Sequence, residues 1–148
     1  MSTCRLCEKV ITFLRERPAQ LIAEFESSIL IVGDHQFFPG YVVLIHKEHH
    51  REMHDLKPEM QNRLWQDLMR AGQSVAKTYQ PWKMNYASLG NQDPHLHWHI
   101  FPRYESDPNH REHPWTDAVL FAAHTTTPEQ AQDVAQRLRH SLGLPAVP

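Results

Sequence analysis

Cysteine is nearly absent from this sequence, and the two that occur, Cys4 and Cys7, form a single C-x-x-C pair close to the N-terminus. A disulfide framework needs more thiols and an oxidising compartment, so half of a zinc site or a redox pair are the readings left. A redox C-x-x-C normally opens a helix directly after a strand, a setting this position does not offer, and zinc with two further ligands from elsewhere is favoured. Long apolar runs are missing as well, and the first residues lack a basic segment followed by an apolar one, so neither a spanning helix nor a secretory leader is expected. The expectation is a cytoplasmic protein with no membrane partner. Nor is there a cluster of basic residues: 15 Lys and Arg against 17 Asp and Glu leave a formal charge of −2, and polymeric nucleic acid is not expected as a partner. Repeats and low-complexity segments are absent. The 148 residues suffice for one core and little more, so one domain over 1–148 is expected, with 103–148 as a C-terminal tail and helix.

Histidine is what the chain has in excess, with 12 residues. Three of them alternate with large apolar residues in His95-Leu96-His97-Trp98-His99-Ile100-Phe101-Pro102. At the strand period of two, His95, His97 and His99 share one face while Leu96, Trp98 and Ile100 anchor the other. A helix turns about 100° per residue and would throw His97 to the opposite side. Two chemistries use such a row. Neutral imidazoles on one strand can ligate a metal, or one imidazole can attack phosphorus while its neighbours stabilise charge on the oxygens. The second needs donors nearby, and Gly90-Asn91-Gln92 supplies a glycine that lets a phosphate approach the backbone and amides that donate to it. No carboxylate adjoins the three histidines in the manner of a catalytic metal site, so no catalytic metal is expected.

The remaining elements follow from periodicity and punctuation. Leu6 to Arg17 predicts a short helix stopped by Pro18, and Leu21 to Phe25 with Ser28 to Val32 predicts a hairpin. Pro39-Gly40 is a turn that opens a strand from Tyr41 to His46, apolar enough at its centre to be covered on both faces. Met60, Leu64, Leu68, Ala71, Val75 and Tyr79 form one stripe of a long helix from Pro58 to Tyr79 that packs on the sheet. Lys83 to Leu89 predicts a strand antiparallel to the histidine strand. Arg103 to Thr126 is aperiodic, with His110, His113, His124 and Trp115, and a loop of this length suggests a lid or substrate-contacting tail. Thr127, Pro128 and Gln130 give an N-cap, a proline at the first helical position and a capping box for a last helix ending near Gly143.

On these residues the sequence resembles the histidine triad (HIT) family. His95 to Phe101 matches its H-φ-H-φ-H-φ-φ signature, and Pro39-Gly40 opening an apolar strand that ends in Lys47-Glu48-His49 is similar to its P-G-H-x-L-V-x-P-K-x-H segment. The resemblance covers roughly residues 4 to 104. It implies an α+β fold, a five-stranded antiparallel sheet with a long helix across one face, often paired into a homodimer. It implies a nucleotide hydrolase in which His97 is the nucleophile and forms a nucleotidyl-histidine, His99 contacts the phosphate and His95 orients the site. Gly90, Asn91 and Gln92 match the phosphate-contacting loop with its hydroxyl donor missing, Asp34 lies where the family binds ribose, and Asn85 is near a family amide position. Tyr41 replaces the histidine that usually follows Pro-Gly, so a hydroxyl or another histidine must serve there. Members beginning with C-x-x-C imply a structural zinc on Cys4, Cys7, His49 and His95. The ending Phe101-Pro102-Arg103-Tyr104 looks like the diadenosine polyphosphate hydrolase branch. Adenosine phosphoramidate hydrolysis, a nucleotide-binding module with negligible turnover, and a metal-dependent enzyme remain as alternatives.

Overall fold

The computed structural model describes residues 4–146. Its elements are α1 (Arg5–Glu16), β1 (Leu21–Glu24), β2 (Ser28–Val32), β3 (Val42–His46), α2 (Pro58–Tyr79), β4 (Lys83–Ala87), β5 (His97–Arg103) and α3 (Pro128–Ser141), with a 3-10 turn at Met53–Asp55 and a 3-10 run at Pro114–His124. The strands form one antiparallel sheet in the order β1-β2-β3-β5-β4. The expected α+β architecture is therefore present, and β3 is its middle strand. Among the described residues no helix is long and apolar enough to cross a membrane.

Alternation sends the strand side chains to two different cores. Leu30, Val32, Val42, Leu44 and Ile100 meet Leu64, Leu68, Ala71 and Val75 of α2 and Ala131, Val134, Ala135 and Leu138 of α3. Each Val, Leu or Ile side chain among them, taken fully out of water, stabilises the fold by about 1.5–3 kcal/mol. On the opposite face Ile29, Ile31 and Ile45 receive Val10 of α1. The β3–β5 pairing sets Ile45 beside His97 and Val43 beside His99. α1 covers one part of that face, and the histidines occupy the next.

Two polar anchors fix the frame. The buried carboxylate of Asp67 on α2 accepts from the Ser27 amide (3.1 Å), the Ser27 hydroxyl (2.7 Å) and the Ser28 hydroxyl (2.8 Å), tying the β1–β2 turn to the helix. Three donors satisfy a charge that would otherwise be costly to bury. At the other end Arg103, 1% exposed, donates to Asp107, Asn85 and the carbonyls of Asn109 and Glu112, with its guanidinium 4.7 Å from the Phe38 ring centroid. One buried cation thereby folds the chain after β5 back on the sheet. The last helix carries the expected cap, with Thr127 and Gln130 bonded reciprocally and Pro128 at the first helical position.

Three expectations need correction. The histidine strand begins at His97, so His95 stands just ahead of it. Its amide bonds back to the carbonyl of Asp93 (2.7 Å), and that turn ends the ladder before His95. The fourth strand ends at Ala87 rather than Leu89. The stretch read as an aperiodic tail contains the 11-residue 3-10 run Pro114–His124, which has no amphipathic stripe to announce it.

Candidate active site

The site is built on the first turns of pleat in β5. Trp98 and Ile100 pack beneath the sheet against the α2 core, which leaves His97 and His99 on the other face with their Nε2 atoms 3.2 Å apart. Fixed acceptors settle the protons. The carbonyl of His95 can only accept, so Nδ1 of His97 donates to it (2.6 Å), and the uncharged form of the ring has its lone pair on Nε2. For Nε2 of His99 to meet that lone pair it must carry the proton. Nδ1 of His99 is then an acceptor, and the Tyr41 hydroxyl, 2.6 Å away, donates to it. Burial pushes the His99 pKa down to about 4, with the neighbouring His97 acting in the same direction and Asp34 opposing both. The neutral form this chain of bonds requires is the one the environment favours.

Tyr41 reaches His99 because β3 starts on the Pro39-Gly40 turn, where Gly40 takes φ +93° and packs on the Tyr79 ring. The Tyr41 ring fills the space that a side chain on Gly33 would occupy. It stacks on Phe101 (4.3 Å, 11°) and on His35 (4.6 Å), and the His35 ring stacks on Phe121 at 3.9 Å. The residue is 3% exposed, and burial raises its pKa far above the usual phenol value. Tyr41 was expected among the substrate contacts; its hydroxyl is instead enclosed against His99.

The 3-10 run closes this side. Trp115 stands edge-on to His99 at 5.4 Å and to Phe101 at 5.1 Å, so the tail reaches the histidines of its own chain. His110 packs on Trp82 and does not join them. Sequence reasoning passed over Phe121, Phe101 and Gly33. Trp115 and Phe121 were the only local signal, two large aromatic side chains in an otherwise aperiodic stretch, and nothing local marked Phe101 or Gly33.

His95 belongs to a second cluster. Its Nε2 donates to the His46 carbonyl (2.8 Å), leaving the Nδ1 lone pair 3.4 Å from the sulfurs of both Cys4 and Cys7. Cys7 is 3.4 Å from Nδ1 of His49. The four ligand atoms of Cys4, Cys7, His49 and His95 all lie within 4.8 Å of one another. Tetrahedral zinc bonds of about 2.0–2.3 Å place adjacent S and N ligands roughly 3.5 Å apart, so the donor set fits a metal of that kind. The His95 ring turns to the thiols and the His46 carbonyl, and the residue meets His97 through its own main-chain carbonyl.

The other candidate residues are arranged as follows. Gly90 adopts φ +70° in the loop before β5, and Asn91 and Gln92 are exposed. The loop is tied to α1 by Arg5, which makes two bonds of 2.9 and 2.8 Å to Asp93. Asp34 is exposed, its carbonyl accepts from the Thr126 amide, and its charge is felt at His35, Tyr41 and His99. Asn85 pairs with Phe101 across the ladder, and its side-chain oxygen takes a bond from Arg103 (3.2 Å).

An antiparallel five-stranded sheet carrying adjacent strand histidines beside a Cys/His metal-type cluster defines a histidine-triad architecture. The HIT domain model matches residues 14–106, and the chain belongs to the HIT family. That membership implies a function of the nucleotide-binding or nucleotide-hydrolysing type. The chain is similar to a histidine triad protein from Marinobacter aquaeolei VT8, at 27% identity and TM-score 0.71, covering 86% of this chain and 93% of that one. A second similar structure is a histidine triad protein from Sinorhizobium meliloti 1021, at 23% identity and TM-score 0.74, covering 85% and 91%. A third is a Zn-bound histidine triad family protein from Mycobacterium smegmatis, at 20% identity and TM-score 0.66, covering 95% and 94%. No curated protein matches the sequence.

Proposed function

We propose that this protein hydrolyses nucleotides at an α-phosphate through a nucleotidyl intermediate on His97, with diadenosine polyphosphates as substrates. One observation carries the reading: the Nδ1–H of His97 is held by the His95 carbonyl at 2.6 Å, which leaves Nε2 as a lone pair on the site face. In the first step that lone pair forms an N–P bond, and the P–O bond to the departing polyphosphate breaks with its electrons on oxygen. The ring becomes an imidazolium, and its bond to the carbonyl strengthens; a hydrogen bond to a charged group contributes roughly 1.5–3 kcal/mol. Nε2–H of His99 and the donors of the Gly90 loop, with Asn91 and Gln92, hold the phosphoryl oxygens as charge builds. Asp34 takes the ribose. The Asn85 oxygen is engaged by Arg103, so only its amide NH₂ is offered to substrate. Water then attacks phosphorus, the N–P electrons return to Nε2, and the water's proton passes to solvent.

Zinc on Cys4, Cys7, His49 and His95 would be structural. Bound, it would hold the N-terminal end of α1 to the residue whose carbonyl orients His97, and it takes no part in the chemistry.

Incubation with diadenosine tetraphosphate, with and without brief exposure to a chelator, tests the reading. AMP and ATP are expected, at rates the chelator leaves unchanged. Binding of the dinucleotide without release would favour a nucleotide-binding module, and turnover lost to chelator from protein that still holds its structural zinc, and restored by added metal, would favour a metal-dependent enzyme.

A further inference from the structure

We propose that Tyr41 is a positioning residue that sets substrate choice: its hydroxyl fixes His99 as a neutral Nε2–H donor, which restricts turnover to α-phosphates whose leaving group departs as an anion, and disfavours phosphoramidates. The inference rests on the nucleotidyl-transfer reading above and adds the leaving-group class to it.

The bonds run in one direction, from the Tyr41 hydroxyl to Nδ1 of His99, from Nε2 of His99 to Nε2 of His97, and from Nδ1 of His97 to the His95 carbonyl. The last acceptor has no proton to return, so for an uncharged His97 ring the order is fixed from that end. When a phosphoanhydride binds, the P–O bond breaks with its electron pair on a phosphate oxygen, and a phosphate group is already an anion near neutral pH, with a second pKa of about 6. Nothing further is needed. When a phosphoramidate binds, the P–N bond must break with its pair on the nitrogen of a basic amine, and that nitrogen has to acquire a proton as it leaves. A neutral His99 can offer its Nε2–H as a hydrogen bond. To release that proton it must gain another at Nδ1 in the same step, because imidazolate is not accessible. The group at Nδ1 is the Tyr41 phenol, which burial makes a poorer acid than usual. The other titratable groups whose charges act on His99 are His97, His35 and Asp34. His97 becomes the phosphorylated ring, His35 is held toward its neutral form by burial, and Asp34 is a carboxylate. None of these supplies the missing proton.

The ring has no alternative position. It stacks on both Phe101 and His35 in the space left by Gly33, and the Gly33 amide bonds to the Tyr41 carbonyl at 3.0 Å. An imidazole is shorter than a phenol and leaves room for one water between its ring nitrogen and Nδ1 of His99, and through that water it can pass a proton at neutral pH, as the phenol cannot.

The test uses the full chain as wild type, Tyr41→Phe and Tyr41→His, with kcat and KM measured on diadenosine tetraphosphate and on the 5′-phosphoramidate of adenosine with a primary amine. In parallel, 15N NMR of labelled histidines reports which nitrogen of His99 is protonated. Wild type should favour the tetraphosphate by about 100-fold or more in kcat/KM, the usual size of a general-acid contribution. Tyr41→His should shrink that ratio by about tenfold or more through a higher kcat on the phosphoramidate. Tyr41→Phe should lower kcat on the tetraphosphate without gaining the amine substrate, and should lose the single Nε2–H form of His99. Comparable efficiency of wild type on both substrates, or an unchanged ratio in Tyr41→His, overturns the role of Tyr41 and leaves nucleotidyl transfer standing. Absence of turnover on either substrate by wild type overturns both.

Discussion

Replacing His97 by alanine should lower turnover of diadenosine tetraphosphate by about 10⁴-fold or more, the scale seen when a covalent nucleophile is removed. His99 cannot take over. Its Nδ1 is bonded to the Tyr41 hydroxyl, and its Nε2 lies 3.2 Å from the position that Nε2 of His97 holds. Nucleotide binding should persist, because the Gly90 loop, Asp34 and the aromatic wall around Trp115 are untouched by the change. Equilibrium binding of a non-hydrolysable dinucleotide analogue, measured beside kcat, separates the two effects. A variant that keeps wild-type turnover would remove His97 from the nucleophile's role, and one that loses binding and turnover in equal proportion would make it a substrate contact.

The second large effect concerns the N-terminal cluster. Cys4→Ser combined with Cys7→Ser should take the metal content from about one zinc per chain to none, since the two imidazoles that remain are half of a structural set. Metal held by a site that exists only in the folded chain contributes its binding free energy to folding. This chain also has an apolar core of its own, so the loss should be about 4 kcal/mol, roughly 10 °C in Tm for a chain of this size. His95 is the ligand that matters for chemistry, because its ring faces the thiols while its carbonyl holds Nδ1 of His97. Loosening it should cost about 10–100-fold in kcat with a smaller change in KM, as other outer-shell changes do. Elemental analysis, thermal melts and kinetics on the same preparations read all three. An unchanged melt in a metal-free double variant would show that the cluster does not support the fold.

The parts of this molecule that a single segment encodes were visible in its sequence. β5 shows its two faces through strict alternation, α2 shows its stripe from Met60 to Tyr79, and α3 shows its cap in Thr127, Pro128 and Gln130. The Cys/His cluster was suggested by the C-x-x-C pair, though its histidines came from the family resemblance and not from spacing. What was hidden depends on contacts between distant segments. Nothing local in Tyr41 says that its hydroxyl ends on His99, because that requires the pairing of β3 with β5 and the room left at Gly33. Arg103 reads as a surface charge, yet it is buried because Asp107, Asn85 and two carbonyls surround it after the chain has folded back. The 3-10 run has neither the α period nor strand alternation, and Trp115 and Phe121 meet the site through aromatic packing that periodicity does not encode. The position of His95 was misread for a related reason. Alternation predicted three histidines in one strand, while the turn at Asp93 and the proximity of the thiols made the first of them a member of the other cluster.

The central claim is that phosphorus becomes bonded to Nε2 of His97. It is tested most directly by a single-turnover reaction of wild-type protein with diadenosine tetraphosphate, quenched in alkali, where N–P bonds survive, and digested for mass spectrometry. The account predicts a transient adenylyl group on His97 that forms and decays at rates consistent with product release, and that is missing from His97→Ala. Product formation with no covalent species at any time, or an adenylyl group on another residue, would contradict it.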